Sequence, residues 1–376
     1  MQNMRAFILV LVVMLPVLAR AERVAPQRAA VQKKPLIGVH IDNPQWRSPS
    51  AQAQIIVQLQ TAGVRLVRVP FAPPYETAHA FLGNLNRAGI RIVLAIITSD
   101  MSIYPEGTLL RRSGGLPSMF DMPPLSSADP ARFKKFLAPH LAQIDAAGIQ
   151  LAALELGNEI NWAPFNGDFP LPAVGRVLGD GDLETDPVGQ KIAAGLNTYV
   201  RLAAVLRKMR DKTRRNAHTP IISAGLADFG PPGLLANHQA QALAVNATLR
   251  YLRQHGLDAE VNAYGVHTYP DPTKPTDVRR RHLRTVTFAE CRRETVGKPC
   301  WLTEWGLPAD DIVCPAADNH RASAVREILA DFAPFVGSGV VQALIYYAWN
   351  DPTGRLSLYR CNTLTDGGRA VLAPIP

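Results

Sequence analysis

Two glutamates are set apart by their surroundings. Glu159 follows Leu154-Glu155-Leu156-Gly157-Asn158 and precedes Ile160-Asn161-Trp162, while Glu304 follows Cys300-Trp301-Leu302-Thr303 and precedes Trp305-Gly306. Each ends a short apolar run of the kind that forms a buried strand. A carboxylate at the end of such a strand is costly to desolvate, so its placement points to use of its proton or its charge. Two carboxyl groups are what the splitting of a glycosidic bond requires: one protonates the leaving oxygen, and the other attacks the anomeric carbon or activates water.

The elements that must position this pair recur along the chain. Strand-like runs are expected at 36–42, 66–71, 92–97, 151–156, 220–226, 261–269, 301–304 and 343–349, with amphipathic, helix-compatible segments between them. Ala62-Gly63-Val64, Ala88-Gly89-Ile90 and Ala147-Gly148-Ile149 each carry the glycine that stops a helix before the next strand. Alternation of strand and helix implies a parallel sheet with right-handed crossovers, and eight units close most simply into a (β/α)8 TIM barrel, an α/β fold of one domain. An open doubly wound sheet would place a glycine-rich phosphate loop after the first strand, and His40-Ile41-Asp42-Asn43-Pro44 has no glycine. The Pro- and Gly-rich stretches 98–130 and 161–187 follow strands three and four, so a barrel would use them as walls of a cleft.

Residues 1–21 read as a secretory signal peptide: Arg5, an apolar run from Ala6 to Leu18, then Ala19-Arg20-Ala21. The run is too short to span a bilayer, and no cysteine follows that would carry a lipid. Residues 22–34 read as a flexible arm and 35–376 as the barrel domain. Setting aside Arg5 and Arg20 leaves 38 of the 40 basic residues against 31 acidic ones, a balance of +7. Such a surface suits an acidic polysaccharide or an anionic membrane, or serves solubility alone; export argues against nucleic acid. Arg214-Arg215 and Arg279-Arg280-Arg281 read as helix-end or solvated charges. Four cysteines in an exported chain fit two disulfides, with three pairings open. Cys291 with Cys300 and Cys314 with Cys361 is the favoured pairing, because the second bond ties two neighbouring loops.

With eight strands assigned, the polar residues at their carboxyl ends collect into one site: His40 and Asp42, Arg68, Asn158 and Glu159, His267 and Tyr269, Glu304, and Trp349 with Asn350 and Asp351. Over roughly residues 36–349 the chain resembles clan A of the retaining glycoside hydrolases, families 5 and 39 included. In that clan an Asn-Glu pair ends strand four, a second Glu ends strand seven and an aromatic ends strand eight. The resemblance implies Glu159 as general acid/base, Glu304 as nucleophile and Asn158 as donor to the sugar 2-hydroxyl. Glu159 would need a raised pKa, whereas Glu304 must be ionised, with Tyr269 and Arg68 favouring its anion. Trp349 would offer a flat face to a sugar ring, and Trp162 or Trp305 would extend it. His267 would contact ligand or stand as a structural group. His40 and Asp42 would touch sugar, or bond Arg68 beneath it. Glu155 reads as structural. One departure from the family-5 pattern is the loop after strand three, where Ser99 and Asp100 stand in place of a histidine.

The expected activity is a secreted or periplasmic β-glycosidase, a monomer, acting on a polysaccharide or oligosaccharide, acidic ones included. It would need no cofactor and no metal, since carboxyl groups suffice, and after signal removal it would have no stable membrane insertion. The alternatives are a catalytically silent carbohydrate-binding barrel and a metal-dependent barrel hydrolase using His40, Asp42, His267 and Glu159.

Overall fold

The computed structural model describes residues 34–229, 233–291, 297–314 and 318–375. The expected signal peptide and nearly all of the expected arm lie outside them. Eight strands alternate with eight helices: β1 (Leu36–His40), α1 (Pro49–Thr61), β2 (Leu66–Phe71), α2 (Tyr75–Arg87), β3 (Arg91–Ile96), α3 (Pro130–Ala146), β4 (Leu151–Leu156), α4 (Pro187–Arg210), β5 (Ile221–Ile222, resuming at Leu226–Ala227), α5 (Val245–Gln254), β6 (Tyr264–Thr268), α6 (Thr276–His282), β7 (Cys300–Trp305), α7 (Asn319–Gly337), β8 (Val341–Tyr346) and α8 (Asp366–Leu372). Every pairing between these strands is parallel.

The broken strand β5 closes the ring. Its first half pairs with β4 through Leu154–Ile221 and Glu155–Ile222, and its second half pairs with β6 through Leu226–Val266 and Ala227–His267. Bridges from Asn158 to Gly225 and from Ile222 to Ala263 fill the interruption. The result is the expected (β/α)8 barrel.

Period-two alternation divides the side chains into two apolar layers. Leu66, Val93, Ala153, Ile222, Ala263, Trp301, Ala343 and Ile345 fill the barrel interior, while Val67, Ile92, Leu94, Leu154, Val266 and Leu344 face the helices. Above the interior layer the inward positions turn polar, with Arg68 on β2 and Glu155 on β4, both buried. Gly63, Gly89 and Gly148 take φ of 75°, 72° and 71°, ending α1, α2 and α3 where the sequence places the stops. Side chains cap several helix starts: Ser48 accepts from Ala51 N on α1, Asp129 from Ala131 N on α3, and Asp186 from Val188 N on α4.

Arg279 and Arg280 are more than solvated charges. Both bond Asp331 of α7, and Arg279 also pairs with Glu327, so two of the three arginines tie α6 to α7. The disulfides are Cys291–Cys300, which secures the start of β7, and Cys314–Cys361, which links the loop after β7 to the loop after β8.

Replacing Cys314 and Cys361 by serine frees a closed loop spanning 47 residues. The expected loss is on the order of 2–4 kcal/mol of stability, read as a lower midpoint in denaturant unfolding without loss of the far-UV spectrum under native conditions.

Candidate active site

The site is organised around Arg68. Period two aims this residue into the barrel from β2, and register places it beside His40 of β1. Its guanidinium, 1% exposed, spends its donors on four partners: Nε on Glu155, Nη1 on Glu304 Oε1 at 2.5 Å and on His40 Nδ1 at 3.1 Å, and Nη2 on Asn158 Oδ1 at 2.9 Å. Because an arginine only donates, His40 accepts at Nδ1 and carries its proton on Nε2. Burial, reinforced by the Arg68 charge, pushes the His40 pKa down to about 3, so the imidazole is neutral. Of the two roles open to His40, contact with Arg68 is the one in place. Asp42, part-buried on the cavity wall, is pushed above the usual carboxylate range by burial and by Glu304.

Glu304 owes its position to an irregularity in β7. Leu302 pairs with Val266 and Glu304 with His267, so two residues of β7 face one step of β6. The extra residue, Thr303, meets His267 Nε2 at 3.1 Å. Glu304 Oε1 accepts from Arg68, and Oε2 accepts from the Tyr269 hydroxyl at 2.9 Å. Burial works against the anion, but the charges of His267 and Arg68 and the Tyr269 hydrogen bond outweigh it and hold the Glu304 pKa at about 2.

Glu159 sits where the chain leaves β4, with φ of 44°, a left-handed conformation that costs energy for a residue with a side chain. Its backbone N–H bonds Gly225 O at 2.8 Å. Its side chain is held on both oxygens, Oε1 by His267 Nδ1 at 2.9 Å and Oε2 by the Trp162 indole N–H at 2.7 Å. Asn161 pins the loop behind it with bonds to Ala227 and Leu243. His267 thus links the two glutamates, with Nδ1 also 3.7 Å from Glu304 Oε2. One oxygen of each glutamate and one His267 nitrogen all lie within 4.8 Å of one another.

That triangle also has metal-ligand spacing. It is a different set from His40, Asp42, His267 and Glu159, and both Glu304 oxygens already accept from Arg68 and Tyr269. A cation bound there would have to compete with a guanidinium in contact with the same carboxylate.

The structure brings His40, Asp42, Arg68, Asn158, Glu159, Trp162, Tyr269 and Glu304 to one cavity of about 630 Å3, with His267 bonded behind Glu159. Trp349 does not join them. The strand stops at Tyr346, and Trp349 is fully buried on the helix side, stacked on Tyr359 at 5.2 Å with its indole N–H 3.4 Å from Gln58 of α1. Tyr347 takes its place: the 343, 345, 347 alternation directs it inward, where it lines the cavity and stacks on His40 at 5.0 Å. Trp305 is core, packed edge-on against Phe332 and Tyr346, and Asp351 organises its own turn by accepting from Thr353 and Leu356. Two further wall residues escaped the sequence reading. Trp46, 69% exposed after β1, is fixed through its indole N–H to Pro73 O, and Phe120 in the 98–130 loop faces Phe165 across the rim.

No protein-family profile matches the sequence, and no curated protein matches it. Solved structures do match in fold. A fungal β-1,4-galactanase is similar with a TM-score of 0.52 at 14% identity, covering 84% of this chain and 90% of that one. A GH39 β-xylosidase from Caulobacter crescentus is similar with a TM-score of 0.50 at 14% identity, covering 92% of this chain and 72% of that one. At this identity the likeness is one of fold.

A lowered folded-state pKa stabilises above the unfolded value and is lost as pH falls toward the folded one. For Glu304 this window runs from the ordinary 4.5 down to about 2. The melting temperature of the wild type is therefore expected to fall more steeply across it than that of Glu304→Gln. A second expectation concerns Gly225, where an added methyl would come 1.9 Å from His267 Nε2. Gly225→Ala should displace the imidazole from Glu159, seen as a shifted His267 ring resonance in a protein that still folds.

Proposed function

We propose that this protein is an exported retaining glycoside hydrolase that cleaves β-linked sugars by double displacement. The observation that carries the reading is the proximity of Glu159 and Glu304, with an oxygen of each within 4.8 Å of the other. Retaining enzymes hold the two carboxyls about 5–5.5 Å apart, whereas inverting ones separate them by roughly 6.5–9.5 Å to seat a water.

The environments divide the roles. Glu304, kept ionised by Arg68 and Tyr269, attacks the anomeric carbon as the glycosidic bond breaks. Glu159 gives its proton to the departing oxygen, then takes one from the water that releases the sugar from Glu304. Asn158, its oxygen held by Arg68, turns its amide nitrogen to the sugar hydroxyl beside the reacting carbon. Trp46 and Tyr347 supply apolar faces for sugar rings on the Glu304 side. A second cavity of about 740 Å3 contains Glu159 without Glu304 and is lined by Trp162, Phe229 and Tyr269. This is the side to which the protonated leaving group departs. Space on both sides of the scissile position supports cleavage within a chain. On the Glu304 side the lining guanidinium is committed to carboxylates, which favours a neutral sugar there. Export is supported by two disulfides, which persist in oxidising compartments.

The test is product analysis on β-linked polysaccharides by NMR. Wild type is expected to release the retained anomer, Glu159→Gln to lose roughly 10²–10⁴-fold in rate, and Glu304→Gln to lose more. An inverted product, or full activity in either variant, would overturn the mechanism.

A further inference from the structure

Five basic residues share one groove on the outside of the barrel. Lys134 of α3, Lys208 of α4 and Lys212, Arg214 and Arg215 of the following turn line a groove of about 830 Å3 between the two helices, and all five are exposed. Among the described residues no salt bridge reaches any of them. Nearby Asp211 is committed to Arg207 and Arg210. The one acid in the groove, Asp145, accepts the backbone N–H groups of Arg214 at 2.9 Å and Arg215 at 2.7 Å, fixing the turn, and its charge offsets one of the five, with Arg214 nearest.

We propose that this groove is a second carbohydrate site, taking a segment of an anionic polysaccharide chain. Charge complementarity selects a polyanion, because five cations against the single carboxylate of Asp145 leave a net repulsion that an anionic ligand relieves. The floor selects a glycan among polyanions: Leu141, Val205 and Met209 offer a recessed apolar strip that matches the C–H faces of sugar rings, while the cations along the rim meet carboxylates or sulfates. From Lys134 to Ala146 the helix rises about 18 Å, enough for a few sugar residues laid lengthwise. A flat anionic membrane would reach the rim but leave the floor uncovered. The catalytic cavity shares no lining residue with this groove, so a chain held here leaves the glutamates free. The basic balance of the sequence would then anchor the protein to acidic polymer and have no part in bond cleavage.

The experiment is affinity electrophoresis through gels containing polygalacturonate or a neutral β-glucan, with co-sedimentation on phosphatidylserine vesicles alongside. Wild type is compared with Lys134→Gln/Lys208→Gln/Lys212→Gln, each in the presence and absence of Glu304→Gln so that chain cleavage cannot mimic release. Retardation by polygalacturonate alone, weakened at least tenfold in the triple variant, reduced by salt and indifferent to Glu304→Gln, is the expected result. Absence of retardation, equal retardation of the triple variant, or stronger binding to vesicles than to polymer would overturn the site. Because binding is read without turnover, that outcome is separate from failure of the glycosidase reading, and hydrolysis of a short neutral oligosaccharide should be unchanged in the triple variant.

Discussion

A guanidinium with 1% exposure inside a barrel is the constraint on which this site depends. A buried charge is tolerated only when it is paired and its donors are used. Arg68 meets this condition by drawing His40 of β1, Glu155 and Asn158 of β4 and its end, and Glu304 of β7 to one point. Each partner is thereby oriented. Glu155, fully buried below, makes no other side-chain hydrogen bond among the described residues and serves to fix Arg68; Asn158 has its carbonyl oxygen occupied; His40 has its tautomer decided.

The same constraint gives two chemically identical side chains different surroundings. Glu304 touches the guanidinium and a tyrosine hydroxyl, so its anion is favoured. Glu159 lies one side chain further away, bonded to the ring nitrogens of His267 and Trp162. The difference in surroundings follows from distance to Arg68, not from anything in the glutamates themselves, and it is the basis of the roles proposed for them. His267 keeps the pair in register, and the irregularity at Thr303 and the bare Cα of Gly225 make room for its ring. The left-handed backbone at Glu159 is an energetic cost on the wall of the cavity, offset by the hydrogen bonds of the loop that follows.

Charge on this molecule is arranged by task. Within the cleft, cations are consumed by carboxylates. On the outer face of α3 and α4 they stand unpaired. Elsewhere, as at Arg279 with Asp331 and Glu327, they tie helix to helix. The net charge is one number, whereas its three uses are properties of neighbourhood.

The sequence by itself determined the alternating order of strands and helices, the helix stops at Gly63, Gly89 and Gly148, and the ends of strands four and seven where the glutamates sit. These are local: apolar period, glycine conformation and the cost of an isolated carboxylate are all written within a few residues. What only the tertiary structure decided were contacts between distant parts of the chain. Trp349 reads as a sugar platform because the clan that the chain resembles ends strand eight in an aromatic, but its position depends on Gln58, 291 residues away, and on which side the chain leaves β8. Tyr347 is legible from the alternation of Ala343 and Ile345, two residues before the larger ring of Trp349. Trp46 carried no periodic signal, being placed by a single bond to Pro73. Arg214 and Arg215 read as solvated charges and are exposed, but that they share a groove with Lys134 follows only from the packing of α3 beside α4. The gap between Glu159 and Glu304 belongs to this second class as well, since it is set by the closure of the barrel through the broken fifth strand, and no stretch of sequence contains it.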